Sequence, residues 1–306
     1  MGAESKTDEL PFFKSLFNPE TKSQKEARLG YFLIFPTVAL VTGVILYPIL
    51  YNLWLSLTKV SLGPSQGGEF VGLANYIDVV SDPQFWGAMG TTLIYTVTTV
   101  AGATLLGLAV ALLLNREFIG RALARGVVLL PYVVPIISIV FAWKYLFNPV
   151  FGMANFVLVD VLHLLENPVN WVESPQYALW MAIFFEIWRA FPFAFLMIIA
   201  KLQSIPKTYY EAAEIDGANW WQKTLKITLP QLKFVIASLA LLRWIWNFNK
   251  FSEVYLLSKQ VNVVSVYAYE KAFSAYQHGQ GAAISATLFL ILISFVLLYV
   301  KKVLKW

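Results

Sequence analysis

The sequence predicts an all-α, polytopic membrane protein with six transmembrane helices. Charged residues make up 13% and hydrophobic residues 58% of the 306-residue chain, and its mean hydropathy is +0.63. Soluble domains carry about 25% charged residues, so this chain has too few charges to cover a water-facing surface. The sequence also lacks the long alternating strands of a membrane β-barrel. A soluble enzyme is therefore excluded as a function class.

Six stretches are long and apolar enough to cross a bilayer, which takes about 20 residues in a helix. The fifth is the least apolar, because it contains Arg243 and Lys250. Proline residues inside several stretches permit kinks, since proline lacks the N–H that a helix needs. The six predicted spans are Tyr31–Leu57, Gly90–Leu114, Val127–Phe147, Tyr177–Ala200, Phe234–Phe251 and Ala282–Val300.

Lysine and arginine are concentrated in the connecting segments on one side of the predicted bundle. By the positive-inside rule this side is the cytoplasm, and both termini are predicted to be cytoplasmic. The chain then divides into a cytoplasmic tail at residues 1–29 and a six-span membrane domain at residues 30–306. The longest cytoplasmic loop is predicted at residues 201–233. The tail has no signal-peptide pattern.

Ala103, Gly107 and Ala111 recur at a spacing of four residues in the second predicted span. A stripe of small residues on one helix face lets another helix approach closely. We expect ordinary helix packing at this stripe.

The residues that form several common functional sites are missing from the sequence. The chain has no Cys and two His, and His163 and His278 are far apart and form no HExxH pair. Disulfides and thiol nucleophiles are thereby excluded, and neither a metal site nor a catalytic residue is predicted. The net charge of +5 is explained by membrane orientation, so no nucleic-acid partner is expected.

The loop at residues 201–233 is predicted to form a compact knob of two short helices. Pro206 suits the first turn of a helix, where an N–H is not needed. Gly217 suits the left-handed conformation that ends a helix. A second short helix is predicted over Trp220–Thr228, ending before Pro230. Two short helices at an angle are suited to entering a cleft in a partner protein.

The same loop carries a spaced motif: Glu211-Ala212-Ala213, three residues, Gly217, nine residues, Ile227, one residue and Leu229-Pro230. This spacing resembles the EAA motif of the permease subunits of binding-protein-dependent ABC importers. The flanking segments Leu202–Pro206 and Ile215–Ala218 are similar to those of the maltose and glycerol-phosphate permeases. The resemblance implies the type I ABC-importer permease fold, carbohydrate transport, and a place in the bacterial cytoplasmic (inner) membrane.

In that family the EAA segment is the coupling helix, which docks into a groove on the ATPase subunit. The resemblance assigns this role to Glu211, Ala212, Ala213 and Gly217. The chain has no G-x-x-x-x-G-K-[ST] phosphate loop, so it is expected to hold no cofactor and to leave ATP and Mg²⁺ to the ATPase. The expected partners are a second permease subunit (a paralogue, giving a heterodimer), an ATPase dimer, an extracytoplasmic solute-binding protein, the carbohydrate and membrane lipid.

The fifth span carries polar and aromatic side chains on one face. Four residues recur there at helical spacing, and lipid would not tolerate that face, so it must point into the bundle or a cavity. In maltose-type permeases the corresponding stretch lines a midmembrane sugar site, together with a stretch of the fourth span. The predicted substrate contacts are Arg189, Phe193, Arg243, Trp246, Asn247 and Lys250.

Three of these six residues are cations, which favours an anionic substrate because arginine binds carboxylate or phosphate through two hydrogen bonds. The preferred prediction is an acidic oligosaccharide, such as an alginate or other uronate fragment. Glycerol phosphate, other sugar phosphates and neutral oligosaccharides are the alternatives. Glu186 lies three residues before Arg189 and can pair with it, so a purely structural ion pair has equal weight as an interpretation of that arginine.

Two other function classes are less well supported. An ion-coupled secondary transporter needs carboxylates within its spans or an inverted repeat, and Glu186 is the one candidate. An intramembrane enzyme needs a nucleophile dyad or paired carboxylates, and the sequence places neither convincingly. Ser258–Asn262 stands where sugar permeases commonly carry a Thr-Gly-Gly-Gly-Pro turn, so the geometry of this outer loop is left open.

Overall fold

The computed structural model describes residues 22–60 and 68–304, and these ranges are mostly helical. Within them, five helices are long and apolar enough to cross a membrane, and a bent pair supplies a sixth crossing when it is counted as one span. Two-residue strands β1 (Thr58–Lys59) and β2 (Glu69–Phe70) pair in antiparallel register. The predicted all-α class with six spans is confirmed.

The first span belongs to a separate unit that ends at Leu55. Pro36 lies inside its first helix without ending it. The apolar window of this span has no buried residue within the chain, which suits a surface that faces lipid. The helical segments are α1 (Lys22–Leu40), a π-helical turn (Val41–Leu46) and α2 (Tyr47–Ser56).

The tail predicted at residues 1–29 lies largely outside the described residues. Residues 1–21 are not described, and Lys22 begins α1, so the described part of the tail is helical. The boundary predicted between residues 29 and 30 therefore stays a prediction.

The second unit begins at Ser56 and contains α3 (Ala74–Ser81) and the long helix α4 (Pro83–Leu114). The Gln84 N–H donates to the Asp82 side chain at 2.9 Å, and Pro83 occupies the first turn of α4. Both features are signals for a helix N-terminus. They explain why α4 begins before Gly90, where hydropathy placed the start of the span.

The third predicted span is not one continuous helix. It divides into α5 (Arg121–Val133) and α6 (Ile136–Leu146), which meet at 94°. Val134 is extended, with φ −66° and ψ 136°, because the residue before a proline is pushed out of the helical region. Pro131, one turn earlier, also lacks an N–H for the helix. The third predicted span is therefore sharply bent rather than one continuous helix.

An irregular segment separates α6 from the fourth span, α8 (Ala178–Gln203). Its short helical pieces are α7 (Met153–Asn155) and a π-helical turn (Phe156–Val161). The Asn155 carboxamide oxygen accepts hydrogen bonds from the Val169 N–H at 3.1 Å and the Trp171 ring N–H at 2.9 Å. This buried side chain therefore holds the ends of the segment together.

The loop after α8 contains α9 (Lys207–Ile215) and α10 (Trp220–Lys223). The predicted second short helix does not end before Pro230. Instead, a π-helical turn (Thr224–Thr228) leads directly into the fifth span, α11 (Leu229–Phe248). Pro230 lies in the first turn of α11, directly after the π-helical turn, and the helix continues through it.

The last described part of the chain, from Ser252 onwards, contains three α-helices. Residues 264–274 are helical throughout, as α13 and the π-helical turn that follows it. The elements are α12 (Ser252–Leu257), α13 (Val264–Tyr269), a π-helical turn (Glu270–Ser274), α14 (His278–Tyr299) and a final π-helical turn (Val300–Leu304).

Helices α4 and α8 pack closely through the predicted stripe of small residues. Ala103 and Ala111 are fully buried. A methyl group at Gly107 would lie 2.5 Å from Ala194 Cβ and 2.9 Å from the Phe195 backbone N. The helix-packing interpretation of the stripe is confirmed, because at Gly107 only a hydrogen fits between the two helices.

Gly107→Ala is expected to destabilise the protein by about 1–3 kcal/mol, because the added methyl overpacks the contact between α4 and α8. Gly90→Ala on the same helix is the matched control, since nothing lies within 4 Å of a methyl group there and alanine favours the helix by about 1 kcal/mol. Heat denaturation of the detergent-purified protein, followed by size-exclusion chromatography, measures the difference. Equal stability of the two variants would contradict close packing at Gly107.

Candidate functional site

A cluster of charged side chains lies between α8 and α11, centred on Glu186. The Glu186 side chain is fully buried, and its Oε1 accepts from Arg243 Nη2 at 2.8 Å. Lys250 Nζ lies 3.2 Å from the same oxygen, and Arg189 Nη1 lies 3.9 Å from Oε2. The three predicted cations are therefore brought together, and each has Glu186 as a partner.

A second carboxylate, Glu253 in the first turn of α12, completes the cluster. Its Oε1 lies 3.3 Å from Arg189 Nη1 and 3.2 Å from Lys250 Nζ. Three cations thus face two carboxylates, which leaves one positive charge in excess. The side chains of Arg189 and Lys250 are 19% and 12% exposed, so little cationic surface remains open.

Three aromatic rings lie beside the charge cluster and are more open than it is. The ring centroids of Phe193 and Trp246 are 5.3 Å apart, and those of Tyr132 and Phe193 are 5.9 Å apart. Tyr132 is 38% and Trp246 43% exposed. The Arg243 guanidinium carbon lies 6.0 Å from the Trp246 ring centroid. The site therefore presents aromatic faces at its surface and paired charges behind them.

Asn247 takes a different place from the other five predicted contacts. It is buried, and its Nδ2 donates to Thr99 Oγ1 of α4 at 2.8 Å. Thr99 in turn donates to the Tyr95 carbonyl at 2.6 Å. Asn247 Oδ1 has no hydrogen-bond partner in the described part of the chain. The side chain thus joins α11 to α4 in this conformation.

Two residues of the site escaped the sequence-based reasoning. Glu253 follows Lys250 by three residues, a spacing at which side chains can pair, but it lies beyond the predicted end of the fifth span. Tyr132 lies in α5, which the bend at Pro135 brings against α8. No sequence pattern signalled this contact, because it depends on the packing of two separate spans.

The predicted coupling segment, residues 207–218, has a well-defined geometry. Helix α9 ends at Ile215, and Gly217, two residues later, has a φ of +75°. The Ala218 N–H donates to the Ala213 carbonyl at 2.8 Å and the Gly217 N–H to the Glu214 carbonyl at 3.0 Å. These two bonds form a Schellman motif, which needs the left-handed conformation that glycine adopts without strain. The predicted helix end at Gly217 is confirmed.

The coupling segment is open to its surroundings. Helix α9 has no buried residue, and Glu211 and Ala212 are both exposed, whereas Ala213 is half-buried. Lys223 Nζ lies 2.6 Å from Glu214 Oε1, which holds α10 against α9. The segment therefore presents a rigid, exposed surface. The docking roles of Glu211, Ala212, Ala213 and Gly217 stay predictions.

At the start of α4, a group of polar side chains connects this helix to α13. Tyr267 donates a hydrogen bond to Asp82 Oδ2, and Lys271 Nζ lies 3.3 Å from the same atom. The Tyr267 hydrogen bond lowers the pKa of the Asp82 carboxyl below its usual value, with help from the Gln84 N–H and Lys271. A cavity of about 890 Å³ adjoins this group. Its lining includes Gln84, Thr91, Asn262, Tyr267, Glu270 and Lys271.

Within residues 22–60 and 68–304, no three His, Asp or Glu side chains converge in a way that could hold a metal ion. The carboxylates of the charge cluster are instead occupied by lysine and arginine.

Residues 103–305 match the family of binding-protein-dependent transport system inner membrane components. The chain belongs to this family. It is therefore a multi-pass inner membrane protein and a non-catalytic transport subunit rather than an enzyme.

The permease is 45% identical over 271 residues to the inner membrane ABC transporter permease protein YcjO of Escherichia coli, covering 89% of this chain and 92% of that protein. It is 35% identical over 283 residues to the trehalose/maltose transport system permease protein MalF of Thermococcus litoralis, covering 90% and 94%. A solved bacterial ABC transporter involved in the import of the acidic polysaccharide alginate has a TM-score of 0.79 at 20% identity, covering 93% and 98%. The last likeness confirms the type I permease fold.

Glu186→Leu is expected to lower the free energy of unfolding by about 3–5 kcal/mol, because it leaves Arg243 buried without a carboxylate. Combining it with Arg243→Met removes both members of the pair and is expected to restore most of the lost stability. Thermal unfolding of the purified permease in detergent measures both variants. A single variant as stable as the double variant would show that the pair is not formed.

Proposed function

We propose that this chain is a permease subunit of an ATP-driven importer that carries a carbohydrate, and that its cargo is a neutral oligosaccharide. The observation that carries the proposal is the aromatic surface of Tyr132, Phe193 and Trp246 beside the charge cluster. A sugar ring has an apolar face that stacks on aromatic side chains and hydroxyl groups that hydrogen-bond to polar ones. The half-exposed Trp246 ring is the central element of this surface.

The charge cluster supports a neutral cargo over an acidic one. The acidic prediction rested on three cations, but Glu186 and Glu253 lie within 3.3 Å of one or more of them. Cations that are already paired attract an added anion only weakly, because the ligand must displace an existing carboxylate. The name of the Thermococcus relative, a trehalose/maltose permease, favours the same class of sugar.

An acidic oligosaccharide, such as an alginate or other uronate fragment, is the second candidate. It is favoured by the one cation in excess, since Arg189 and Lys250 share Glu253 and are partly exposed. The solved alginate importer supports this candidate less, because at 20% identity its likeness concerns the fold.

The proposed assembly contains a second permease subunit, a paralogue that forms a heterodimer with this chain. It also contains two ATPase subunits, which bind ATP and Mg²⁺, and an extracytoplasmic solute-binding protein. Transport proceeds by alternating access: ATP binding closes the ATPase dimer, and the coupling segment passes the movement to the spans. Both termini and the coupling segment lie on the cytoplasmic side, where the positive-inside rule places them.

Gly217→Val is expected to weaken attachment of the ATPase, because valine resists the left-handed backbone that ends the coupling helix. Gly72→Val is the matched control, since Gly72 also has positive φ, +59°, and lies in the outer loop before α3. Copurification of the ATPase with the permease, followed by transport in membrane vesicles, measures coupling. An ATPase that stays fully bound and coupled in Gly217→Val would contradict the role of this segment.

The sugar class is tested by the ATPase activity of the reconstituted complex with its binding protein. Maltodextrins and trehalose are compared with uronate oligosaccharides of similar length. Stimulation by neutral sugars is expected, because the open surface of the site is aromatic and its cations are paired. Stimulation by uronates alone would reject the neutral cargo and favour the second candidate, while the permease assignment would stand.

A further inference from the structure

We infer that Glu186 determines the charge selectivity of the sugar site by neutralising Arg243. The inference rests on the proposed function, in which the surface around Trp246 contacts the sugar. Glu186 is a positioning residue, because it is fully buried and acts through its cationic partners rather than on the cargo itself.

The two carboxylates of the cluster are not equivalent. Arg189 and Lys250 each lie within 4 Å of both Glu186 and Glu253. Among the described residues, Arg243 is paired with Glu186 alone. Loss of the Glu253 charge therefore leaves every cation with a carboxylate partner. Loss of the Glu186 charge leaves Arg243 without one.

A stranded Arg243 would be a strong anion site. Its side chain is 3% exposed, so its charge is screened little by water. A buried guanidinium without a partner is unstable unless an anion reaches it, and a carboxylate can meet it with two hydrogen bonds.

Such an anion would approach Arg243 beside the ring of Trp246. The guanidinium carbon of Arg243 lies 6.0 Å from the centroid of the half-exposed Trp246 ring. A uronate stacked on that ring would hold its carboxylate within reach of the guanidinium. In the native protein the Glu186 carboxylate is already paired with Arg243 at 2.8 Å, and its negative charge disfavours a second anion there. Glu186 thereby keeps the site selective for uncharged sugars.

The test compares binding of two trisaccharides, neutral maltotriose and acidic trigalacturonate, to the permease complex in lipid nanodiscs. The binding protein is left out, because its own selectivity would mask that of the membrane site. Equilibrium dialysis with labelled sugars gives the two affinities, and their ratio is the readout. A purely structural role for Glu186 would change both affinities alike and leave this ratio constant.

Glu186→Gln is expected to raise the trigalacturonate-to-maltotriose affinity ratio by about tenfold or more, as one charge-assisted hydrogen bond would. The matched control is Glu173→Gln, which removes an equal charge from the exposed ion pair with Lys144 at 3.7 Å. The control is expected to keep the wild-type ratio. An unchanged ratio in Glu186→Gln, while wild type binds maltotriose, overturns the inference and leaves the proposed function intact.

Glu253→Gln keeps the inference testable even if Glu186→Gln fails to fold. It adds the same positive charge to the cluster but leaves Arg243 paired with Glu186, so the ratio is expected to change by no more than about twofold. A larger rise would assign the selectivity to Glu253 and overturn the inference. A wild-type complex that prefers trigalacturonate would instead reject the neutral cargo of the proposed function.

Discussion

The lack of water inside a bilayer is the constraint on which the rest of this structure depends. Each backbone N–H and C=O in the hydrocarbon region must find its partner within the protein, so the spans are helices. Buried charges obey the same constraint, and Glu186 meets Arg243 at 2.8 Å and Lys250 at 3.2 Å. Helix association in lipid also relies on close contact, which Gly107 provides between α4 and α8.

Pairing of the buried charges decides what the proposed sugar site would offer to a cargo. Because Glu186 and Glu253 occupy the cations, the open part of the site consists of aromatic rings rather than positive charge. The same residues connect the spans: the cluster joins α8 to α11 and α12. A movement that separates these helices must therefore break ion pairs and alter the site together. The exposed segment at residues 207–218, whose coupling role stays a prediction, lies in the chain between α8 and α11.

Local signals were enough for parts of the fold. The left-handed end of α9 at Gly217 follows from the absence of a Cβ, and the close packing at Gly107 follows from a repeat of small residues. Hydropathy alone misplaced the start of α4, because the Asp82-Pro83 start signal lies outside the apolar stretch. Hydropathy also could not tell which proline breaks a span: Pro36 and Pro192 lie within continuous helices, whereas the chain bends at Pro135.

By itself, the sequence determined the class of this protein: few charges and six apolar stretches require a helical membrane protein, and the spaced motif around Glu211 indicated an importer permease. Helical spacing placed Arg243, Trp246, Asn247 and Lys250 on one face, and the resemblance to maltose-type permeases added Arg189 and Phe193. Only the tertiary structure decided how those residues are paired. Glu253 and Tyr132 join the site from other helices, and contacts between separate spans depend on packing angles that no local periodicity encodes.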